Sequence, residues 1–182
     1  TNELADTPYL FGFINHPETS YIAVPLHSSE DREYVPMEMM GTEVIATNAI
    51  SLVADGSLLT FGLLMSKPFN LWNKTVSGRL ESRTRISGTI TYNNFPFPEL
   101  SADIGTEIEE TASEVLTVRE GFPNSSLADL YDPTTMPSEL RNAHQLLDKA
   151  VLSAFGLKPS ATDEQILSEL FRRYEELTRG LV

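Results

Sequence analysis

The run Leu58-Leu59-Thr60-Phe61-Gly62-Leu63-Leu64-Met65 constrains the fold most strongly. It is apolar on every side, and a helix of that kind has no polar face to offer water, so it must be buried. Ser57 is a suitable N-cap for it. Pro68 stops this helix and opens a second one near its first turn, carrying Phe69 to about Val76, where Gly78 ends it. A chain of 182 residues with 41% hydrophobic content is long enough to bury such an element in one sizeable core or two small ones.

On either side of this helix pair the patterning differs. Tyr21–Leu26, Glu43–Thr47 and Ile50–Val53 are short β-branched or aromatic runs bounded by Pro, Gly, Asn or Asp, so they predict strands, with Tyr34–Met37 as a lesser candidate. Arg85–Tyr92 predicts a further strand, and Asn93–Pro98 a turn that leaves the domain. After Pro98 the period is helical. Ile104, Ile108, Ala112, Val115 and Val118 recur at spacings of three and four, as do Leu140, Ala143, Leu147, Val151 and Ala154 before a stop at Gly156. Thr162 and Gln165 form a capping box ahead of the stripe Ile166, Leu170, Phe171, Tyr174, Leu177. Gly121–Pro137 reads as loop. The expected class is α+β: a small mixed β-sheet domain with a buried helix over residues 1–98, then a helical C-terminal domain of about three helices over 99–182.

Charge narrows the function. The chain carries a net −13, yet between Lys67 and Arg85 five basic side chains face the single acid Glu81. A compact cationic segment in an acidic chain fits phosphate or base edges, or pairing with the protein's own carboxylates. Cysteine is absent, which fits a cytoplasmic protein, and the apolar runs fall far short of the ~20 residues of a membrane span. His16, His27 and His144 show no ligand spacing, so no metal site is expected. The start at Thr1 suggests a piece of a longer chain.

Four pieces of sequence, in order, resemble the C-terminal part of MmeI-like DNA methyltransferases, single-chain modification or restriction–modification enzymes. They are Tyr21–Pro36 with its Ser28-Ser29-Glu30-Asp31-Arg32 centre; Phe61–Ser66 followed by Trp72 and Gly78-Arg79-Leu80; Tyr92–Pro98; and Ser126–Pro133, with Met136-Pro137, Leu140, Ala143-His144 and Leu147-Asp148 behind it. The match runs from about Tyr9 to about Leu177. In that family the region follows the catalytic core and holds the target-recognition domain and a helical part. The resemblance implies a parent that binds S-adenosylmethionine and methylates adenine at N6, with double-stranded DNA and the methyltransferase core of the same chain as partners. This piece has neither the glycine-rich cofactor turn nor the Asn/Asp-Pro-Pro-Tyr/Phe tetrapeptide, so no catalysis and no cofactor are expected of it. Asn93-Asn94-Phe95-Pro96 has Asn94 and Phe95 where two prolines should stand, and reads as a turn.

The residues for DNA contact follow. Lys67, Asn70, Asn73 and Lys74 lie within about two helical turns, and Asn70, Asn73 and Lys74 share a face. Asn suits the two-point contact with adenine and Lys the acceptors of guanine. In an extended run Arg79, Glu81, Arg83 and Arg85 would share one face, with the arginines on DNA phosphates or on Glu30, Asp31 and Glu33. Ser28, Ser29 and Arg32 would touch the DNA backbone. No histidine stands beside these serines, so a nucleophilic role is disfavoured. Trp72 is expected in the core, and Tyr131 and His144 could share a structural hydrogen bond. The reading from another class is an acidic protein-interaction module whose arginines only brace the fold.

Overall fold

The computed structural model describes residues 16–179. Strand β1 (Tyr21–Pro25) is the centre of an antiparallel sheet, flanked by β3 (Glu38–Met40) and β4 (Ile50–Ala54). Its first four residues are all buried, because protein covers both faces. Tyr21 faces Met40 on one side and Ala54 on the other. Both edges of β1 are therefore taken, which leaves none for Glu43–Thr47. That segment is loop rather than the expected strand, held by the Tyr21 hydroxyl donating to the Val44 carbonyl at 2.6 Å.

The same stretch of chain then changes sheets. The Leu26 N–H donates to Ala49 on the first sheet side, and its carbonyl accepts from Ile86 N–H, both at 2.9 Å. Beyond it β2 (His27–Ser28) enters a second antiparallel sheet of order β2-β6-β5, with β5 Gly78–Leu80 and β6 Arg83–Arg85. The β part is thus divided between two small sheets.

Helices α1 (Leu58–Met65) and α2 (Lys67–Val76) form as the sequence predicts, with the Ser57 side chain accepting from Thr60 N–H. Pro68 sits in the first turn of α2, where its missing N–H costs nothing. Arg85–Tyr92 does not continue as a strand. After Ile86, the Ser87 side chain caps a π-helical turn (Gly88–Tyr92), and Asn94 closes it by donating to the carbonyls of Thr89 and Ile90 at 2.8 and 3.0 Å.

The expected helical half is present as α3 (Ala102–Glu120), α5 (Ser138–Ala154) and α6 (Asp163–Thr178), the last with the Thr162/Gln165 capping box. Gly156 follows α5 at φ +70°, a backbone that favours glycine. A single turn, α4 (Leu127–Leu130), interrupts the expected loop because Ser126 and Asp129 make their own capping box.

One apolar core runs through both halves, from Ile22 and Val24 through Phe61 and Leu64 to Ile108, Leu147 and Leu170. Trp72 lies within it, its ring centroid 5.2 Å from Phe171 and 5.7 Å from Tyr174 of α6. α1 reaches α3 at Gly62, where a Cβ would stand 2.8 Å from Ile108 Cγ2 and 3.1 Å from the Ala112 Cβ. A Gly62→Val protein should therefore lose about 1–3 kcal/mol through overpacking. Urea unfolding would read this loss, and a stability equal to the parent would contradict the close helix approach.

Candidate nucleic-acid interface

The cationic run folds into a hairpin. Its strands pair Gly78 with Arg85, Arg79 with Thr84 and Leu80 with Arg83, so Glu81 and Ser82 form the turn. Glu81 adopts φ +57°, in the left-handed region. Directly opposed residues of an antiparallel pair share a face. One face thus carries Leu80, Arg83 and Arg85, with His27 of β2 opposite Arg85, and the other carries Arg79, Thr84 and Ser28. The expectation that Arg79, Glu81, Arg83 and Arg85 share one face is corrected: the turn at Glu81 reverses the chain, and Arg79 falls opposite Thr84.

All three arginines are exposed. Arg83 meets Glu81 at 3.5 Å, with both side chains more than half exposed, and this is its only ion-pair partner among the described residues. Arg79 and Arg85 have none there; Arg79 donates to the Ser82 carbonyl at 3.3 Å. Glu33 instead pairs with Arg141 at 2.9 Å. Of the two anion sources left open by the sequence, Glu30, Asp31 and Glu33 do not serve the arginines among the described residues.

The α2 residues are placed differently from the expectation. Asn70 is 3% exposed; its Oδ1 accepts from Val35 N–H at 2.7 Å and its amide donates to the Ser66 carbonyl at 2.8 Å. Asn73 is 1% exposed, and its Oδ1 accepts from the Ser77 hydroxyl. Both side chains are buried, the Asn73 Nδ2 without a hydrogen-bond partner among the described residues, and this burial corrects their reading as base-contacting groups. Lys67 reaches across to Asp163 of α6 at 2.7 Å. Lys74 is half-buried, and burial lowers its pKa against the opposing pull of Glu33, Asp163 and Asp31. Helical spacing shows that such residues share a face, but not whether that face looks outward.

Ser28 is likewise buried, its carbonyl accepting from the Thr84 hydroxyl at 3.3 Å, so a backbone-phosphate role for its side chain is also corrected. Ser29 accepts from Asp31 N–H in a local turn, and Arg32 donates to the Ala128 carbonyl at 3.2 Å. Ser29 and Arg32 remain partly exposed.

A buried polar chain joins the two halves. The expected contact between Tyr131 and His144 is present at 2.7 Å. Arg119 donates to the Tyr131 hydroxyl and, at 2.9 Å, to the Met37 carbonyl. His144 stacks on Tyr34 with ring centroids 4.1 Å apart. The Tyr34 hydroxyl donates to Asp148 at 2.7 Å, and the other Asp148 oxygen accepts from Lys67 N–H at 2.6 Å. That carboxylate caps the first turn of α2, whose own N-cap, Ser66, makes no side-chain cap bond. Arg119 belongs to no motif and Asp148 carries the resemblance without a role of its own, yet each leaves a trace on a helical stripe, Arg119 four residues after Val115 and Asp148 four after His144.

A family model described as MmeI, target recognition domain, matches residues 1–99, and one described as MmeI, C-terminal domain, matches residues 103–182. The chain belongs to the MmeI family. DNA methyltransferase A of Bacillus subtilis (strain 168) is 43% identical over 179 residues, covering 98% of this chain and 20% of that protein. The solved structure of the type IIL restriction-modification enzyme MmeI in complex with DNA matches with a TM-score of 0.91 and 43% identity, covering 97% of this chain and 24% of that one. The chain thus spans about a fifth to a quarter of the length of these relatives.

The buried chain has a pH signature. Burial drives the Asp148 pKa up to about 6, against the hydrogen bonds from Tyr34 and Lys67. Burial, then the Arg119 charge, drives His144 down to about 3. As pH falls from 6.5, the unfolded chain protonates its histidine before the folded one, so His144 withdraws stability. Between about 6 and 4 folded Asp148 protonates ahead of the unfolded chain and returns stability. The two slopes oppose each other. An Asp148→Asn protein should therefore lose about 2–3 kcal/mol more than the parent between pH 6 and 4. Urea melts across that range would show it, and parallel profiles would mean that Asp148 is not held as described.

Proposed function

We propose that this chain chooses the DNA site for a longer, S-adenosylmethionine-dependent adenine-N6 methyltransferase of a restriction-modification system acting in the cytoplasm. The division into a recognition domain over 1–98 and a helical domain over 99–182 is part of this proposal. Within it, the β5–β6 hairpin reads the bases. The observation that carries this is three exposed arginines on a two-stranded ribbon, with Glu81 the one acid paired to them among the described residues, in a chain of net −13.

A two-stranded ribbon fits the major groove, where arginine makes two-point contacts with guanine and a carboxylate accepts from the cytosine amino group. In this reading Glu81 at the tip and Arg83 beside it take those roles, and Arg79, Arg85, Arg32 and Ser29 meet phosphates on either side. The average field of the chain repels DNA, so the remainder of the parent must supply much of the affinity.

The strand-to-helix turn between β4 and α1 does not fit the cofactor. Its glycine, Gly56, is buried, and a Cβ there would stand 2.5 Å from Ile22 Cγ1, so side-chain packing fills the space that a cradle needs. Asn94 spends its amide on the π-helical turn, and Phe95 beside it is buried. The cofactor and the methyl transfer belong to the methyltransferase core of the parent chain.

In the full-length enzyme, Glu81→Ala and Arg83→Ala should alter which sites are methylated, each removing about 1–3 kcal/mol of discrimination at one base pair. Asn70→Ala should instead lower stability and leave site choice alone, because it strips a buried amide from Val35. Genome-wide mapping of methylated positions tests both. Wild-type preference in the two hairpin variants would refute this placement of the reading element.

A further inference from the structure

The hairpin of Gly78–Arg85 emerges from a closed polar clasp at its base, and we infer that this clasp, centred on Thr91, is a specificity-determining device that aims the hairpin at the bases. The inference rests on the hairpin reading of function given above. Ser77 directly precedes β5, and Ser87 and Thr91 follow β6, so both stems of the hairpin meet here.

The Ser77 hydroxyl lies 2.5 Å from Asn73 Oδ1 and 2.7 Å from Thr91 Oγ1, and Ser87 N–H donates to Thr91 Oγ1 at 3.2 Å. Oδ1 is only an acceptor, so the single Ser77 proton goes to Asn73. Thr91 must then donate to Ser77 while accepting from Ser87. Every proton in the chain points one way, from the outgoing stem through Thr91 and Ser77 to α2. The anchor is rigid: Asn73 is 1% and Thr91 0% exposed, and the Trp72 indole N–H donates to the Thr91 carbonyl at 3.0 Å.

Leverage makes the clasp matter. Apart from it, what holds the hairpin among the described residues is the two-residue pairing with β2, the Thr84 hydroxyl on the Ser28 carbonyl with Thr84 itself buried, and the bond from Ile86 N–H to Leu26. An isolated two-stranded hairpin is marginal in water. Three residues of strand place the tip about 10 Å from the base, so a tilt of about 10° moves it by about 2 Å. Functional groups must be held to about 0.5 Å. Thr91 is therefore a positioning residue acting through Arg83 and Glu81, without touching DNA itself.

The test uses the full-length parent enzyme, with methyl-transfer rates measured on a cognate duplex, identified by mapping its methylated sites, and on duplexes with one changed base pair. Thr91→Val keeps the shape and removes the hydroxyl; it should lower the ratio of cognate to altered-site rates about fivefold, the lower end of one base contact. Thr91→Ser restores the hydroxyl and should keep the wild-type ratio. Ser77→Ala removes the middle link and should behave as Thr91→Val, and it decides the matter if the valine variant does not fold. An unchanged ratio, an equal loss of rate on every duplex, or a fall shared by Thr91→Ser overturns the inference. Arg83→Ala, run alongside, separates the two levels. If Arg83→Ala keeps the wild-type ratio, the hairpin does not read bases and the clasp falls with it; if only Arg83→Ala alters the ratio, the clasp alone falls.

Discussion

A guanidinium buried between the two halves is the interaction on which the rest of the structure depends. Arg119 leaves solvent almost completely, yet its nearest carboxylate, Glu38, stands 3.5 Å away and is itself partly exposed. Compensation comes from the Tyr131 hydroxyl, the Met37 carbonyl and two aromatic faces, Phe61 at 5.4 Å and Tyr131 at 4.9 Å from the guanidinium carbon. Breaking one partner of such an arrangement strands a buried charge, at a cost of about 3–5 kcal/mol. The geometry therefore fixes α3 against β3 and α1, and holds Tyr131 and His144 where Tyr34 can stack.

From there the order propagates by contact. Tyr34 orients Asp148, Asp148 caps α2, and α2 carries both Trp72 and Asn73 to the base of the hairpin. The helical part and the β3-β1-β4 sheet share a single core that Ile86, directly after β6, also enters, and Trp72 of α2 packs on Phe171 and Tyr174 of α6, so the base of the hairpin rests on a helix backed by the far end of the chain. Within α6, Glu169 takes both Arg172 and Arg173, whose hydrogen bonds hold its pKa down to about 2.

Much of this was legible in the sequence. An all-apolar run next to a proline could only be a buried helix pair, and the stripe behind Thr162 and Gln165 could only be an amphipathic helix. The failures have local physical causes. Glu43–Thr47 has strand composition, but pairing is a competition for edges, and β1 has none to spare. Arg85–Tyr92 alternates like a strand, but Ser87 and Asn94 offer the backbone a tighter set of hydrogen bonds. Asn70 and Asn73 looked like contact residues because amides are usually exposed. Here the loop ahead of β3 leaves the Val35 N–H in need of a partner, and Asn70 supplies it while its amide donates to the Ser66 carbonyl at the start of α2. The hairpin itself was hidden by treating an alternating charged run as one strand. A glutamate at φ +57° carries no sequence signature of a turn.

The face bearing Leu80, Arg83 and Arg85 contributes little to the core: Leu80 is 51% exposed and the two arginines are exposed beside it. Thr84, between them, is 2% exposed and carries the packing on the opposite side. Alternate positions of one three-residue strand thus answer to separate demands. Mutation at the outward positions is nearly free of folding cost, whereas the inward position is tied to the scaffold. Lineages carrying this domain can therefore drift in what those outward side chains meet while the architecture stays fixed, with the pleat of a single strand as the boundary between what varies and what does not.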